Sequence, residues 1–522
     1  MVDDPGRSSL PEARWIIDLP DEAATARLAR ELAPIMQSGD LVTLSGDLGA
    51  GKTTFARALI RELTGDPALE APSPTFTLMQ SYAGPRFAIV HADLYRIGGA
   101  DELAELGWEE AAEDSLVLVE WPERAGFLLT TERLDVALSL DASAGDTRRR
   151  AVLTGLGAWA ARIERAHATH DLLAQAGWAS ARREHLQGDA STRAYERLTL
   201  GDQRAILMIS PRRPDGPPVR MGKPYSAIAR LAESVHPFVA LADGLRHEGL
   251  SAPAILAANL DVGLLLIEDF GDEPVVDRNG PIPERYAEAA AVLATLHGRE
   301  LPTTLPILDD ANYAIPPFDV DAYLIEVELV LDWYVPHVLG SEVSGSVRSH
   351  FVRLWREALE PIVASPATWT LRDYHSPNLI WLPRREGVQR VGLLDFQDAL
   401  LGHPAYDCVS LMQDARVDVS EELELKLVSH YARLRRSADP AFDMGDFARA
   451  YAVLGAQRAT KILGIFARLD RRDGKPQYLR HLPRIERYIR RDLSHPVLSD
   501  LKVWYETNLP SLFAAHGQEA SA

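Results

Sequence analysis

A single cysteine, Cys408, in 522 residues excludes an intramolecular disulfide and any cysteine-based zinc cluster. It lies in the apolar run Tyr406-Asp-Cys-Val-Ser-Leu-Met412, where a buried structural thiol is expected. Positive charge is also scarce. Lys and Arg number 55 against 75 Asp and Glu, a formal net charge of −20. This argues against a free-standing nucleic-acid binder, which needs a basic face. The deficit is uneven: residues 1–150 hold 14 Lys/Arg and 26 Asp/Glu, a net of −12, leaving −8 for the rest. No apolar run approaches the roughly 18 residues that span a bilayer. The opening Met1-Val-Asp-Asp-Pro-Gly6 has neither the basic nor the apolar region of a secretory leader, so the cytoplasm is the expected compartment and no membrane contact is expected. There is no internal repeat or low-complexity tract, and the length alone implies about three or four domains.

What is present centres on Leu371-Arg-Asp-Tyr-His-Ser-Pro-Asn-Leu-Ile380, followed by Val391-Gly-Leu-Leu-Asp-Phe-Gln-Asp398. Asp373 stands five positions before Asn378, the Asp-x-x-x-x-Asn spacing of a kinase catalytic loop. Two short apolar runs, Leu379–Leu382 and Val391–Leu394, predict a hairpin that returns Asp395 beside that loop. Phosphoryl transfer from ATP needs a carboxylate to take the proton of the attacking hydroxyl, and an amide with a second carboxylate to hold Mg²⁺ on the triphosphate. Asp373 is then the candidate base, and Asn378 and Asp395 are the candidate metal ligands. The spacing alone occurs in ordinary turns, where Asp and Asn are common; the strand context sets this one apart.

A second nucleotide motif lies near the start. Leu41-Val-Thr-Leu-Ser45 predicts a buried strand, Gly46-Asp-Leu-Gly-Ala-Gly-Lys-Thr53 is a full phosphate-binding loop, and Thr54 to Leu63 predicts a helix. Backbone amides of Gly46, Gly49, Ala50 and Gly51 and the helix start at Thr54 would cradle phosphate. Lys52 would reach the β/γ oxygens, and the Thr53 hydroxyl would bind Mg²⁺. Further strands end in His91 and Asp93, and in Glu120, at the carboxyl edge where open α/β sheets bind ligands. Bland alternatives remain for each: Thr75 a turn cap, His91 a core histidine, Asp93 a turn residue, Glu120 an ion-pair partner of Arg124, Trp121 core filling.

Gly46–Thr53, Ser73-Pro-Thr-Phe-Thr77, His91-Ala-Asp-Leu-Tyr-Arg96 and Leu118-Val-Glu-Trp-Pro122 together resemble the TsaE family over nearly all of residues 1–157. These are bacterial P-loop ATPases required for threonylcarbamoyladenosine formation on tRNA. The resemblance implies phosphate and magnesium binding by Lys52 and Thr53, and a switch-like loop at Thr75 near the γ-phosphate. It implies that Asp93 and Glu120 serve the metal or the attacking water, with Trp121 near the nucleotide. It also implies that the ATPase supports a separate transferase within a complex. The acidic surface suits those protein partners better than direct contact with tRNA.

Downstream, His185 to Leu198 leads into a strand with Arg204–Ser210 as its hairpin partner, where a kinase N-lobe folds a loop over the phosphates. The loop has one glycine, Gly188, so Ser191, Thr192 and Arg193 are candidate polar contacts. Leu264-Leu-Leu-Ile-Glu-Asp-Phe-Gly271 is a candidate hinge strand, with a buried edge strand as the alternative. Helical periodicity then dominates, including Val320–Leu339 and Asp446–Ala467. Arg372 to Leu379, Leu394-Asp-Phe-Gln-Asp398 and Gly402-His-Pro-Ala-Tyr-Asp-Cys408 resemble the aminoglycoside phosphotransferase and choline kinase-like superfamily. Gly188-Asp-Ala-Ser-Thr-Arg-Ala-Tyr195 together with Arg372 to Leu379 resemble, more narrowly, the AmgK anomeric sugar kinases, over roughly residues 165–500. That resemblance implies phosphorylation of the anomeric hydroxyl of N-acetylmuramate and N-acetylglucosamine in cell-wall recycling. An aminoglycoside, choline or homoserine-like acceptor is the alternative, with the first domain a nucleotide-gated scaffold or regulator. One departure stands out: the strand after the loop offers Met208 where a kinase N-lobe carries lysine, leaving Arg193, Arg204 or Lys223 as possible cations.

The expected architecture is therefore an α/β P-loop NTPase domain with a mostly parallel sheet and flanking helices, followed by a bilobal protein-kinase-like α+β domain. The expected divisions are 1–160 for the ATPase, 161–270 for the kinase N-lobe and 271–522 for its helical C-lobe.

Overall fold

The computed structural model describes residues 10–98, 102, 108–125, 129–140, 148–186, 193–212, 216–308 and 311–513. The chain divides into two compact units between His185 and Leu186. In the first, β1 (Glu12–Leu19), α1 (Glu22–Leu32), β2 (Leu41–Ser45) and α2 (Lys52–Thr64) precede β3 (Met79–Ala83), β4 (Ala88–Asp93) and β5 (Ser115–Glu120). The unit closes with β6 (Arg133–Leu140), β7 (Arg149–Leu156) and the helix Ala158–Gln175. The sheet order is β1-β7-β6-β2-β5-β4-β3. The strands β6, β2, β5 and β4 run parallel, and the remaining pairings are antiparallel.

Sequence explains these places. The Ser-Leu-Val-Leu-Val-Glu of β5 is buried at every position, as a parallel strand covered on both faces must be. The edge strand β1 alternates exposed and buried side chains over most of its length. Because β2 and β5 pair in parallel, with Leu44 opposite Glu120, the strand ends that carry the glycine loop and the Glu120 carboxylate lie side by side. Gly46 makes the turn out of β2 at φ +127°, and a Cβ there would sit 2.0 Å from the Leu138 carbonyl oxygen, which leaves room only for glycine.

The helix Ala158–Gln175 packs with this first unit. Trp159 and Ile163 enter its core, Arg162 donates to Asp40 at 2.7 Å, and His170 Nδ1 lies 2.9 Å from Glu31. The Trp15 ring lies 5.3 Å from both the His167 and His170 rings. The division consequently falls later than residue 160, because this helix packs on β1 and β7 of the first unit.

In the second unit, Ile255–Asn259, Leu264–Glu268, Gln203–Ile209 and Ala194–Leu200 are neighbours in that order in an antiparallel sheet. The candidate hinge strand Leu264–Glu268 is thus paired on both sides and is not an edge. Met208 is buried in the large core that continues into the helical part. The periodic stretch Val320–Leu339 is not one helix. Helix Val320–Val327 passes into a π-helical turn, Val330–Tyr334, and a short helix, Val335–Val338. Pro336 supplies the reason, since it donates no amide hydrogen to the carbonyl four residues back and its ring crowds that carbonyl. The hairpin Leu379–Trp381 and Val391–Leu393 forms with Leu379 opposite Leu393.

Candidate active sites in the two units

At the carboxyl end of β2, the Lys52 Nζ donates to the carbonyls of Gly46 (2.7 Å) and Asp47 (3.0 Å) and stands 3.7 Å from the centre of the Trp121 ring. Burial draws its pKa down while Glu120 and nearby carboxylates oppose the shift. The Thr53 hydroxyl donates to Glu120 Oε2 at 3.0 Å, and Glu120 Oε1 lies 3.0 Å from His91 Nε2. Glu120 and His91 are both buried, so Glu120 partners Thr53 and His91. The Asp93 carboxylate gathers the Ser73 hydroxyl, the Thr75 hydroxyl at 3.1 Å and the Tyr95 amide at 2.9 Å. A cavity of roughly 370 Å³ is lined by Gly49, Lys52, Thr53, Thr75, Asp93 and Trp121, with Thr54 and Glu120 also on its wall. Trp121 turns out of β5 in the left-handed region, φ 59°, which brings its ring over the lysine. Motif reading missed Arg149, whose Nε donates to the Ala50 carbonyl at 3.1 Å. It comes from β7, and its only trace in the sequence is a run of three arginines.

The Thr53 hydroxyl and the Glu120 carboxylate are hard oxygen donors meeting beside a lysine and a glycine loop, a donor set that fits magnesium on a phosphate chain. The Lys52 ammonium stays on the Gly46 and Asp47 carbonyls beside these two oxygen groups.

In the second unit, the Asn378 Nδ2 donates to the Asp373 carbonyl at 2.9 Å and lies 3.5 Å from Asp395 Oδ2. Asp395 Oδ1 accepts from Arg193 Nη1 at 2.6 Å and from Gln397 Nε2 at 2.8 Å. Asp395 adopts φ 57° and Arg372 φ 66°, two left-handed residues flanking the site. Burial raises the Asp395 carboxyl despite the opposing charge of Arg193. Asp373 behaves oppositely. Desolvation would raise it, but Lys461 and Arg458 prevail and hold it well below the usual carboxylate range.

Those two cations belong to the long helix Met444–Asp473. Arg458 Nη1 donates to the Arg372 carbonyl at 3.0 Å and its Nη2 lies 3.8 Å from Asp373 Oδ1. Lys461 Nζ pairs with Glu326 at 2.7 Å, Gln457 Nε2 donates to Glu326 at 3.1 Å, and the Arg372 guanidinium pairs with the same carboxylate. Asp407 accepts the Leu371 and Arg372 amides at 2.7 and 2.9 Å, bracing the loop from the helix Ala405–Met412. Sequence reasoning missed Glu326, Arg458, Lys461 and Gln397. Among the described residues His375 Nδ1 is buried without a hydrogen-bond partner, and burial draws the ring down to about 4.

Of the candidate cations, Arg193 reaches the Asp395 carboxylate, whereas Arg204 and Lys223 are exposed. Ser191 and Thr192 lie outside the described residues. The convergence of one amide and one carboxylate beside the Asp373 loop suits a magnesium ion shared with a triphosphate.

Strand, glycine loop and helix make the first unit a P-loop nucleotide-binding domain, and the Asp373–Asn378–Asp395 arrangement makes the second a kinase-like phosphotransferase. Family models agree: threonylcarbamoyl adenosine biosynthesis protein TsaE matches residues 19–151, and the phosphotransferase enzyme family matches residues 182–441. An N-acetylmuramate/N-acetylglucosamine kinase of Caulobacter vibrioides is 37% identical over 66% of this chain and 97% of its own length. Its namesake in Pseudomonas aeruginosa is 32% identical over 60% of this chain and 84% of its own. A tRNA threonylcarbamoyladenosine biosynthesis protein TsaE of Rickettsia felis is 43% identical over 23% of this chain and 71% of its own length. The chain therefore belongs both to the TsaE family, through its first unit, and to the N-acetylmuramate/N-acetylglucosamine kinase family, through its second. Among the described residues, no helix is long and apolar enough to cross a membrane.

Proposed function

We propose that the second unit transfers the ATP γ-phosphate to the anomeric hydroxyl of N-acetylmuramate or N-acetylglucosamine, as a step of cell-wall recycling in the cytoplasm. The first unit, in this reading, is an ATPase that serves the proteins of a tRNA threonylcarbamoyladenosine complex, without itself contacting nucleic acid. The observation that carries the kinase assignment is the meeting of Asp373, Asn378 and Asp395 in one loop-and-hairpin, in a chain spanning 97% of a relative bearing that kinase name. Asp373, ionised across the neutral range, accepts the proton as the hydroxyl oxygen attacks. Asn378 and Asp395 would hold magnesium, which when bound neutralises charge on the triphosphate. Arg193 supplies the positive charge that the strand around Met208 lacks, with Ser191 and Thr192 as further contacts.

In the first unit, the amides of Gly46, Gly49, Ala50, Gly51 and Thr54 cradle phosphate, and Lys52 neutralises it. Thr53 and Glu120 would hold magnesium. Asp93 and Glu120 orient the attacking water, with Thr75 reporting the γ-phosphate and Trp121 packing by the nucleotide. Incubation of the full chain with ATP and N-acetylmuramate, N-acetylglucosamine, choline or kanamycin, followed by product analysis, tests the acceptor. Sugar 1-phosphate from the two N-acetylated sugars is expected; product from choline or kanamycin alone defeats the assignment.

A further inference from the structure

Arg193 occupies an awkward position for a resting enzyme. Arg193 Nη1 donates at 2.6 Å to Asp395 Oδ1, and Gln397 Nε2 donates to that same oxygen at 2.8 Å. The other oxygen faces Asn378 Nδ2. One oxygen of a proposed metal ligand is thus committed to two N–H donors. A divalent cation on this carboxylate would stand within a few ångströms of the guanidinium, a repulsion that a partly buried site screens poorly. The Arg193 side chain is only 11% exposed, so it is held against Asp395. Its guanidinium remains charged at any working pH, and Asp395 helps push its pKa up against burial. The strand that ordinarily supplies a phosphate-binding lysine turns Met208 into the core, while Arg204 and Lys223 are exposed.

We infer that Arg193 is an exchanging latch: it occupies Asp395 in the nucleotide-free protein and passes to the triphosphate as magnesium takes its place. This deepens the kinase reading above, and rests on it for Asp395 as the metal carboxylate. Arrival of Mg·ATP brings both halves of the exchange together, a cation to displace Arg193 and phosphate oxygens to receive its planar fork. A fixed lysine paired elsewhere would bind phosphate without competing for the metal.

The two roles predict effects of opposite sign in one variant. In full-length Arg193→Gln, the KM for Mg·ATP in sugar phosphorylation should rise about tenfold through loss of a charge-assisted contact. Mn²⁺ titrated in the absence of nucleotide should bind the Asp395 site several-fold more tightly, because its competitor is gone. Asp395→Asn in the same background identifies that site by removing it. Arg193→Lys keeps the charge without the fork and should fall between the two in both measurements. An unchanged KM overturns the inference, and so does a raised KM with Mn²⁺ binding unaltered or weakened. If the wild-type protein phosphorylates neither sugar, the acceptor assignment falls, while the Mn²⁺ titration and calorimetric titration with ADP still decide the exchange.

Discussion

The two nucleotide sites of this chain hold their charges in different ways. In the first unit, the glycine-loop residues Gly46 to Thr53 are contiguous, and Lys52 is fastened to carbonyls five and six positions away. In the second, Arg193 meets Asp395 across 202 residues, and Asp373 is flanked by Arg458 from a helix 85 positions on. The glycine loop of the first site is a local backbone device, to which the fold adds Glu120 on the Thr53 hydroxyl from 67 residues on. The second is a side-chain assembly that exists only when the whole helical part is packed. Disturbing the packing of the helical part should therefore silence the kinase and leave the ATPase in place.

The strongest break of this comparison is Asp373→Asn. Sugar phosphorylation should drop about 10³-fold with loss of the base, while ATP hydrolysis by the first unit, measured without sugar, should be unchanged. Lys52→Ala comes next. Nucleotide binding to the first unit should weaken about 100-fold, as expected for a lost phosphate cation. A fall in sugar phosphorylation as well would mean that the sites communicate. Glu326→Leu tests the packing claim, because it leaves Arg372 and Lys461 facing each other without their shared carboxylate. Removing one partner of a buried ion pair costs about 3–5 kcal/mol, read by urea unfolding, and the transition of the first unit should not move.

The smallest effect sharpens the account of the helix Ala158–Gln175. Its His170 is raised above its ordinary pKa chiefly by the hydrogen bond to Glu31. A histidine raised by folding stabilises below its unfolded pKa near 6.5, and that contribution fades as pH rises through the folded value. The first unit should be more stable at pH 6 than at pH 8 by less than about 1 kcal/mol, and Glu31→Gln should flatten the difference.

How much was legible follows the same division. The β2–loop–α2 segment and the order Asp373, Asn378, hairpin, Asp395 were readable because each is set by neighbours in sequence. Arg458, Lys461, Glu326 and Gln397 were not. A buried arginine on an apolar helix looks like an interruption of the pattern until the loop it supports is brought beside it. His91 was read mainly as a core histidine; it is buried, and it also holds Glu120, so the two roles coincide. The π turn Val330–Tyr334 was missed because apolar period alone does not register Pro336, which cannot donate to the Asp332 carbonyl within it.

Cys408 offers a practical handle on these assemblies. It is fully buried and neighbours Asp407, the residue whose carboxylate grips the loop ahead of the base, and its burial pushes the thiol far from ionisation. A maleimide or disulfide reagent added to the native protein thus has nothing to attack until the helix Ala405–Met412 opens. Labelling kinetics on the unmodified chain would act as a clock for that local opening, free of background from any other sulfhydryl.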